Sequence, residues 1–347
     1  MVASRVEGED LFFINKEIYH EELNKVIQSV LPKFDRIAKN FFLINLCFWL
    51  LIGVEISVLL IFFSWFLKSS LVALGISAVF LTIFTYFILR MYFISKKPEQ
   101  YEDFLERYTR GAKSVIKYRD GIPEHHFALA ASYSKLASAL HDREYTFFKP
   151  PFGLYAISPT LEKISCSSFW RDFHCMKELL LKSCIEEHHK VVQCEPTSLE
   201  VHAALANAYV QLSTLYVDPR KTETFDEDRW IPSNKFDDEQ KEKFQYAALK
   251  AVEEFKILNH FAPNDPWIHS QLAYSYHDLE MPEEEIKEYE AILKLRPDDK
   301  ETQFKLGKLY FSQGYAAKGL RIYEDLRRTN FKKAEELLES YGNNLQF

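Results

Sequence analysis

Four cysteines, Cys166, Cys175, Cys184 and Cys194, follow one another at spacings of 9, 9 and 10 residues, with His174, His188 and His189 among them. Thiolate and imidazole are good ligands for zinc, but a structural zinc site brings its cysteines together as close C-x-x-C pairs, which this spacing does not provide. The fifth cysteine, Cys47, sits in an apolar stretch, and an odd count in a chain of 347 residues is not a disulfide framework. Buried, reduced thiols are therefore expected, with no metal and no cofactor. The adjacent Glu186-Glu187 and His188-His189 fall in a helical run and read as a solvated face. Asp226, Glu227 and Asp228 suggest calcium, but no Gly-centred loop with a closing Glu follows them. The sequence holds no Gly-rich phosphate loop, no H-E-x-x-H and no G-x-S-x-G, so an enzyme is not expected.

One further carboxylate stands out by its surroundings. Glu55 is the single charge among the 27 residues from Phe41 to Leu67, and Ser69 to Leu89 holds none in 21 residues. A bilayer core of about 30 Å needs about 20 helical residues, so each run is long enough. Lys68, Ser69 and Ser70 leave room only for a tight turn, which predicts a two-helix transmembrane hairpin over 41–94, its helices at 41–67 and 69–94. The 19 Phe, Leu, Ile and Val residues of the first run favour insertion by roughly 6–11 kcal/mol as an upper bound, against about 3 kcal/mol for a central charge. Two helices alone enclose no ion pathway. Glu55 is accordingly expected to hydrogen-bond within the hairpin or to a copy of itself. The pairs Gly53/Ser57 and Ala73/Ser77 permit close helix packing, which leaves homo-oligomerisation open. Lys25, Lys33, Arg36 and Lys39 before the hairpin, with Arg90, Lys96 and Lys97 after it, place both termini on the cytoplasmic side of an integral, two-pass membrane protein.

Composition sets the rest of the frame. A net charge of −7 argues against a nucleic-acid partner. Only 10 Gly against 29 Phe favours helices over turn-rich β architecture. Residues 1–40 are read as an N-terminal cytoplasmic segment, helical over 15–40, with Ile18, Leu23, Val26, Ile27, Val30 and Leu31 on one stripe. That stripe is to lie either on lipid or on the rest of the protein, with a break or kink at Pro32. Residues 95–122 are read as a linker helix.

Behind the hairpin a 34-residue offset recurs: Leu272 maps to Leu306, Ala273 to Gly307, Tyr276 to Tyr310, Tyr289 to Tyr323 and Ile292 to Leu326. The pattern of an apolar residue, a small one, then an aromatic three on, with Pro297 closing the unit, resembles the tetratricopeptide repeat (TPR) family. The resemblance implies antiparallel helix pairs over 266–299 and 300–333. Glu285 departs from the family's small residue, and Phe331 stands where the closing Pro would be. Two further units, 123–198 and 199–265, emerge when insertions are allowed between their helices. Leu129, Ala130 and Tyr133 open the first, and Cys184, Ile185, Val191 and Pro196 close it. Leu205, Ala206 and Tyr209 open the second, and Ala251, Phe255, Leu258 and Pro263 close it. Residues 334–347 are read as a capping helix and tail, the helix itself reading from Lys332 to Tyr341. The insertion 142–182 is an aromatic loop carrying Tyr145, Phe147, Phe148, Phe152, Tyr155, Phe169, Trp170 and Phe173. It is expected to pack inside the protein, touch membrane or form a partner surface. The insertion 213–245 is acidic and expected to be solvated.

Family membership would imply a binding scaffold whose concave face is lined by first helices. Here that face would comprise Phe127, Asn207, Gln211, Trp267, Tyr274, His277, Phe304, Lys308 and Phe311, an aromatic and polar mixture suited to a protein or peptide ligand. The expectation is an all-α protein: a transmembrane hairpin followed by a TPR-like α-solenoid, over 123–333, with long intra-repeat insertions. Its function would be a membrane-anchored adaptor. The alternative is a hairpin-driven, oligomeric or membrane-organising protein, since a bilobed apolar hairpin with a tiny turn also resembles the membrane segment of inclusion membrane proteins.

Overall fold

A computed structural model describes residues 16–63, 71–148, 157–221, 231 and 236–344. Eleven α-helices run through the described residues: α1 (Lys16–Ile61), α2 (Leu71–Ile116), α3 (Pro123–Ala139), α4 (Ser158–Cys194), α5 (Leu199–Tyr216), α6 (Asp238–Phe261), α7 (Pro266–Asp278), α8 (Pro282–Leu295), α9 (Lys300–Ser312), α10 (Ala316–Thr329) and α11 (Phe331–Asn344). The chain divides into two units, residues 1–180 and 181–347, with α4 carrying the boundary. The turn expected at Lys68–Ser70, Phe152 and Tyr155 of the aromatic insertion, and Asp226, Glu227 and Asp228 lie outside the described residues.

In the first unit, α1 and α2 are each 46 residues long, and neither ends where its apolar run ends. Pro32 does not break α1, and α2 likewise continues through Pro98. A proline inside a helix costs roughly 3 kcal/mol, and here packing on either side of it outweighs that. Leu23, Ile27, Val30, Phe34 and Ala38 form a buried stripe on α1, facing a matching stripe of Tyr101, Phe104, Tyr108, Ala112 and Ile116 on α2. The stretches expected as an N-terminal segment and a linker helix are thus continuations of the same two helices as the apolar runs. Tyr19 and Tyr108 donate hydrogen bonds to the backbone carbonyls of Ala128 and Ser132 on α3, at 2.9 and 2.7 Å.

Among the described residues of the aromatic insertion, Phe147, Phe148, Phe169 and Phe173 pack on one another and on α1. Phe147 lies 4.0 Å from Phe169, ring centroid to centroid, and Phe42 on α1 lies 5.3 Å from Phe148 and 5.6 Å from Phe169. Phe173 meets Phe34 edge-on at 5.0 Å. Residues 158–182 are helical, so Phe169, Trp170 and Phe173 belong to α4 and not to a loop. Each fully buried Phe contributes about 1.5–3 kcal/mol, which explains why so aromatic a segment is not left in water.

The second unit is a stack of TPR-like helix pairs, α5 with α6, α7 with α8 and α9 with α10, closed by α11. The small residues at the helix crossings, Ala206 and Ala273, are fully buried, as are Leu205, Leu272 and Leu306 beside them. Register repeats down to the caps. Asp265 accepts a hydrogen bond from the amide of Trp267, and Asp299, 34 residues on, accepts from those of Glu301 and Thr302. The turn between helices also repeats: Glu280 has φ of 57° and Gly314 has φ of 79°, the left-handed conformation that Gly adopts without penalty. Both helices of the first pair extend into the expected insertion 213–245, α5 to Tyr216 and α6 from Asp238.

A histidine clasp repeats as well. His202 Nδ1 lies 2.6 Å from Glu254 and its Nε2 lies 2.9 Å from the Pro196 carbonyl. His269 makes the same pair, with Glu288 at 2.6 Å and the Pro263 carbonyl at 3.0 Å. In the third pair Gln303 takes the place, donating to the Pro297 carbonyl at 2.7 Å. Burial disfavours the charged form of His202, but the Glu254 carboxylate and the Pro196 carbonyl outweigh it and raise its pKa. A raised folded-state pKa stabilises the fold below the unfolded value of about 6.5, and that contribution is lost as pH rises through the folded value. His202→Gln should therefore lose more stability at pH about 6 than at pH about 8.5. Denaturant titration of both proteins at the two pH values measures this, and a pH-independent difference would show that the imidazole acts only by packing.

Two expectations about α4 need correction. Only Cys166 and Cys184 are buried; Cys47 and Cys194 are exposed and Cys175 is intermediate. The solvated face is half wrong: Glu186 and His189 are exposed, whereas Glu187 and His188 are buried. Burial, with help from neighbouring His189, holds the His188 pKa down to about 4, so it is neutral at pH 7. The helical period decides this, because four consecutive polar residues cannot all share one side of a helix.

Candidate functional site

Two surfaces present themselves, one in each unit. In the first unit, the apolar halves of α1 and α2 lie antiparallel with their side chains outward. Each contains an 18-residue window of mean hydropathy 2.3, only 6% of it buried. A core hairpin of an aqueous protein would be covered; here Leu60, Leu74 and Phe80 are 69–71% exposed. From Phe41 to Ile61 the helix is about 31 Å long at 1.5 Å per residue, matching the hydrocarbon thickness of a bilayer.

The inner seam of this helix pair is polar at intervals. Thr82 donates to Glu55 at 2.8 Å, so Glu55 is held within the hairpin. Tyr86 donates to Asn45 at 2.9 Å, and Asn45 donates to the Phe41 carbonyl at 2.9 Å. Such pairs satisfy polar groups between two otherwise apolar helices. Gly75 fits against Leu59 of α1: a Cβ there would stand 2.5 Å from Leu59 Cδ2. The small residues singled out from sequence do not make this contact. Gly53, Ser57, Ala73 and Ser77 are all exposed, and nothing lies within 4 Å of a Cβ at Gly53. Thr82, Asn45 and Tyr86 were legible only as uncharged polar residues in an apolar run; the antiparallel register brings each to its partner.

In the second unit, the first helices α5, α7 and α9 carry most of the residues expected on the binding face. Asn207, Gln211, Trp267, Tyr274, His277 and Lys308 are exposed, and Phe304 is half-buried. Asn207, Tyr274 and Lys308 occupy one repeat position in three successive pairs. Trp267 is braced by Phe255 edge-on at 6.1 Å. His277 Nδ1 lies 3.2 Å from the buried carboxylate of Glu285. Phe127 belongs to the first unit, on α3, and is half-buried.

Phe311 corrects the sequence expectation. It is 4% exposed, in a cluster with Leu326, Ala334 and Leu337, and its ring centroid is 4.2 Å from that of Tyr341. Helix α11 packs on both α9 and α10 and covers this position, which makes it core. Two lysines that sequence reasoning missed join the aromatic residues. Lys305 lies 4.8 Å above the Tyr274 ring, with its Nζ 3.3 Å from the Tyr274 hydroxyl. Lys333 sits 5.8 Å from the Phe304 ring, as does Lys308. Lys305 is adjacent in sequence to a face position, which was the available signal; Lys333 comes from α11 and carried none. The result is an exposed patch of aromatic rings edged by cations. Among the described residues, no group of three or more His, Cys, Asp or Glu side chains could hold a metal ion.

These observations define an all-α protein with TPR-like helix pairs and two long apolar N-terminal helices. The sequence matches no protein-family model, and no curated protein matches it. Among solved structures it is similar to the crystal structure of MamA, at 14% identity and a TM-score of 0.36, covering 71% of this chain and 95% of that one. It is also similar to TTC0263, a thermophilic TPR protein in Thermus thermophilus, at 17% identity and a TM-score of 0.32, covering 75% and 95% of the two chains. A third likeness is to the TPR2AB-domain:pHSP90-complex of yeast Sti1, at 16% identity and a TM-score of 0.25, covering 73% and 96%.

Proposed function

We propose that this protein is a membrane-anchored scaffold. In this reading α1 and α2 cross a bilayer as a hairpin with both termini cytoplasmic, and the exposed face of α5, α7 and α9 holds a protein or peptide partner. The observation that carries it is the outward apolar surface of a helix pair whose other halves are buried in a helical core. In this reading the same two helices form the anchor and part of the helical core. Tethering raises the local concentration of a partner, so a groove of modest affinity suffices. The aromatic and cationic character of the face, with Trp267 and Tyr274 44% and 46% exposed, suits a ligand with apolar anchors and negative charge.

The test is made on the full chain expressed in cells. The protein should stay with membranes through alkaline extraction, and crosslinking should capture a partner. Trp267→Ala with Tyr274→Ala should lower that capture on the order of 10-fold while membrane retention is unchanged. Release into the aqueous phase would overturn the anchor, and undiminished capture by the double variant would overturn the binding face.

A second reading has its own support. Gly53, Ser57, Ala73 and Ser77 point away from the hairpin seam, which leaves small residues on its outer surface for a second hairpin. Under this reading Gly53→Leu and Ser77→Leu would abolish crosslinked multimers and partner capture together.

A further inference from the structure

Where the apolar run gives way to the polar halves of α1 and α2, a cavity of about 320 Å³ opens between the two helices. Its lining has two characters. Arg36, Asn40 and Lys97 stand on the extramembrane side, and Leu43, Ile44 and Phe93 on the apolar side. Lys97 is fixed in place: its Nζ is 2.6 Å from Asp172 and 3.9 Å from the Phe41 ring centroid. Tyr101 donates to the same Asp172 oxygen at 2.8 Å. Asp172 therefore answers the charge of Lys97, and the cavity's unanswered charge is that of Arg36. Arg36 is exposed and enters no hydrogen bond or ion pair among the described residues.

We propose that this cavity is a binding site for an anionic phospholipid, with its phosphate on Arg36 and an acyl chain along Leu43, Ile44 and Phe93. The inference rests on the membrane-spanning reading above. A cation at the mouth of an apolar groove, at the depth where headgroups lie, complements a molecule that is anionic at one end and hydrocarbon at the other. A soluble anion would use only the polar end, and an apolar ligand would leave Arg36 unanswered. Guanidinium suits phosphate through paired N–H donors, and Asn40 is placed to bond the ester region. The neighbouring Lys33 and Lys39 give the same side of the bilayer a positive field, but neither lines the cavity.

The full-length protein in neutral detergent is titrated with phosphatidylglycerol, with phosphatidylcholine of the same chain length, and with inorganic phosphate, and bound lipid is counted by native mass spectrometry. Phosphatidylglycerol should be retained about 10-fold more tightly than phosphatidylcholine, and inorganic phosphate should not displace it. Arg36→Gln should remove most of that preference, while Lys33→Gln keeps it. Equal retention of the two lipids, displacement by phosphate, an unaffected Arg36→Gln or an equal loss in Lys33→Gln would each overturn the proposal. Reconstitution into phosphatidylcholine vesicles separates this from the anchor itself. Protein that incorporates but shows no Arg36-dependent preference rejects the lipid site alone, whereas protein that fails to incorporate rejects the membrane reading.

Discussion

Truncating Phe311 to alanine should lower the stability of the second unit by about 3–5 kcal/mol. The ring is buried among Leu326, Ala334 and Leu337 and packs on Tyr341, so its removal leaves a cavity in the core. In a stack of repeats each pair contacts only its neighbours. The loss should therefore appear first in α9, α10 and α11, as faster amide hydrogen exchange, with α5 to α8 protected for longer. Phe311→Leu, which keeps most of the volume, should cost far less. The position also discriminates between two views of the C-terminus. A residue at this point of a TPR unit is expected on the binding face, so a variant that folds normally and only loses partner would restore the sequence-based placement.

The second large effect lies in the first unit. Lys177 on α4 reaches Glu144 at 2.9 Å, with both side chains only 10% exposed. The second oxygen of Glu144 is buried without a hydrogen bond. Replacing Lys177 by Met leaves a buried carboxylate with no counter-charge, and removal of one partner of a buried pair costs about 3–5 kcal/mol. Replacing both residues, as Lys177→Met with Glu144→Leu, should recover most of that loss, because the desolvation penalty disappears with the second charge. Denaturation of the detergent-solubilised protein checks both. If the double variant is no more stable than Lys177→Met, the pair matters by shape and not by charge.

Much of this architecture is written in short-range pattern. Mean hydropathy over Phe41–Ile61 and Val72–Ile94 marks the two apolar helices. The repeat of Leu272-Ala273-Tyr276 in Leu306-Gly307-Tyr310 marks the helix pairs. The residues expected to open and close the split unit 199–265, Leu205, Ala206 and Tyr209 with Ala251, Phe255 and Leu258, are all buried on two helices that contact one another. The histidine clasp was equally present in the sequence, His202 and His269 standing at the same interval as Leu205 and Leu272. It went unread because its partners, a backbone carbonyl and a glutamate on the facing helix, have no signature of their own.

Spacing and composition alone determined that this chain is helical, that two of its helices are as apolar as a bilayer and that its C-terminal half repeats. Only the tertiary structure decided which residues those helices turn inward. It made α1 and α2 continuous through Pro32 and Pro98, packed Phe147 and Phe148 on the buried Phe169, placed Thr82 on Glu55 and hid Phe311 beneath α11. The physical reason is the range of the interactions. Helix formation and hydropathy are set by residues within a few turns of one another, whereas burial depends on which surface arrives from elsewhere in the chain.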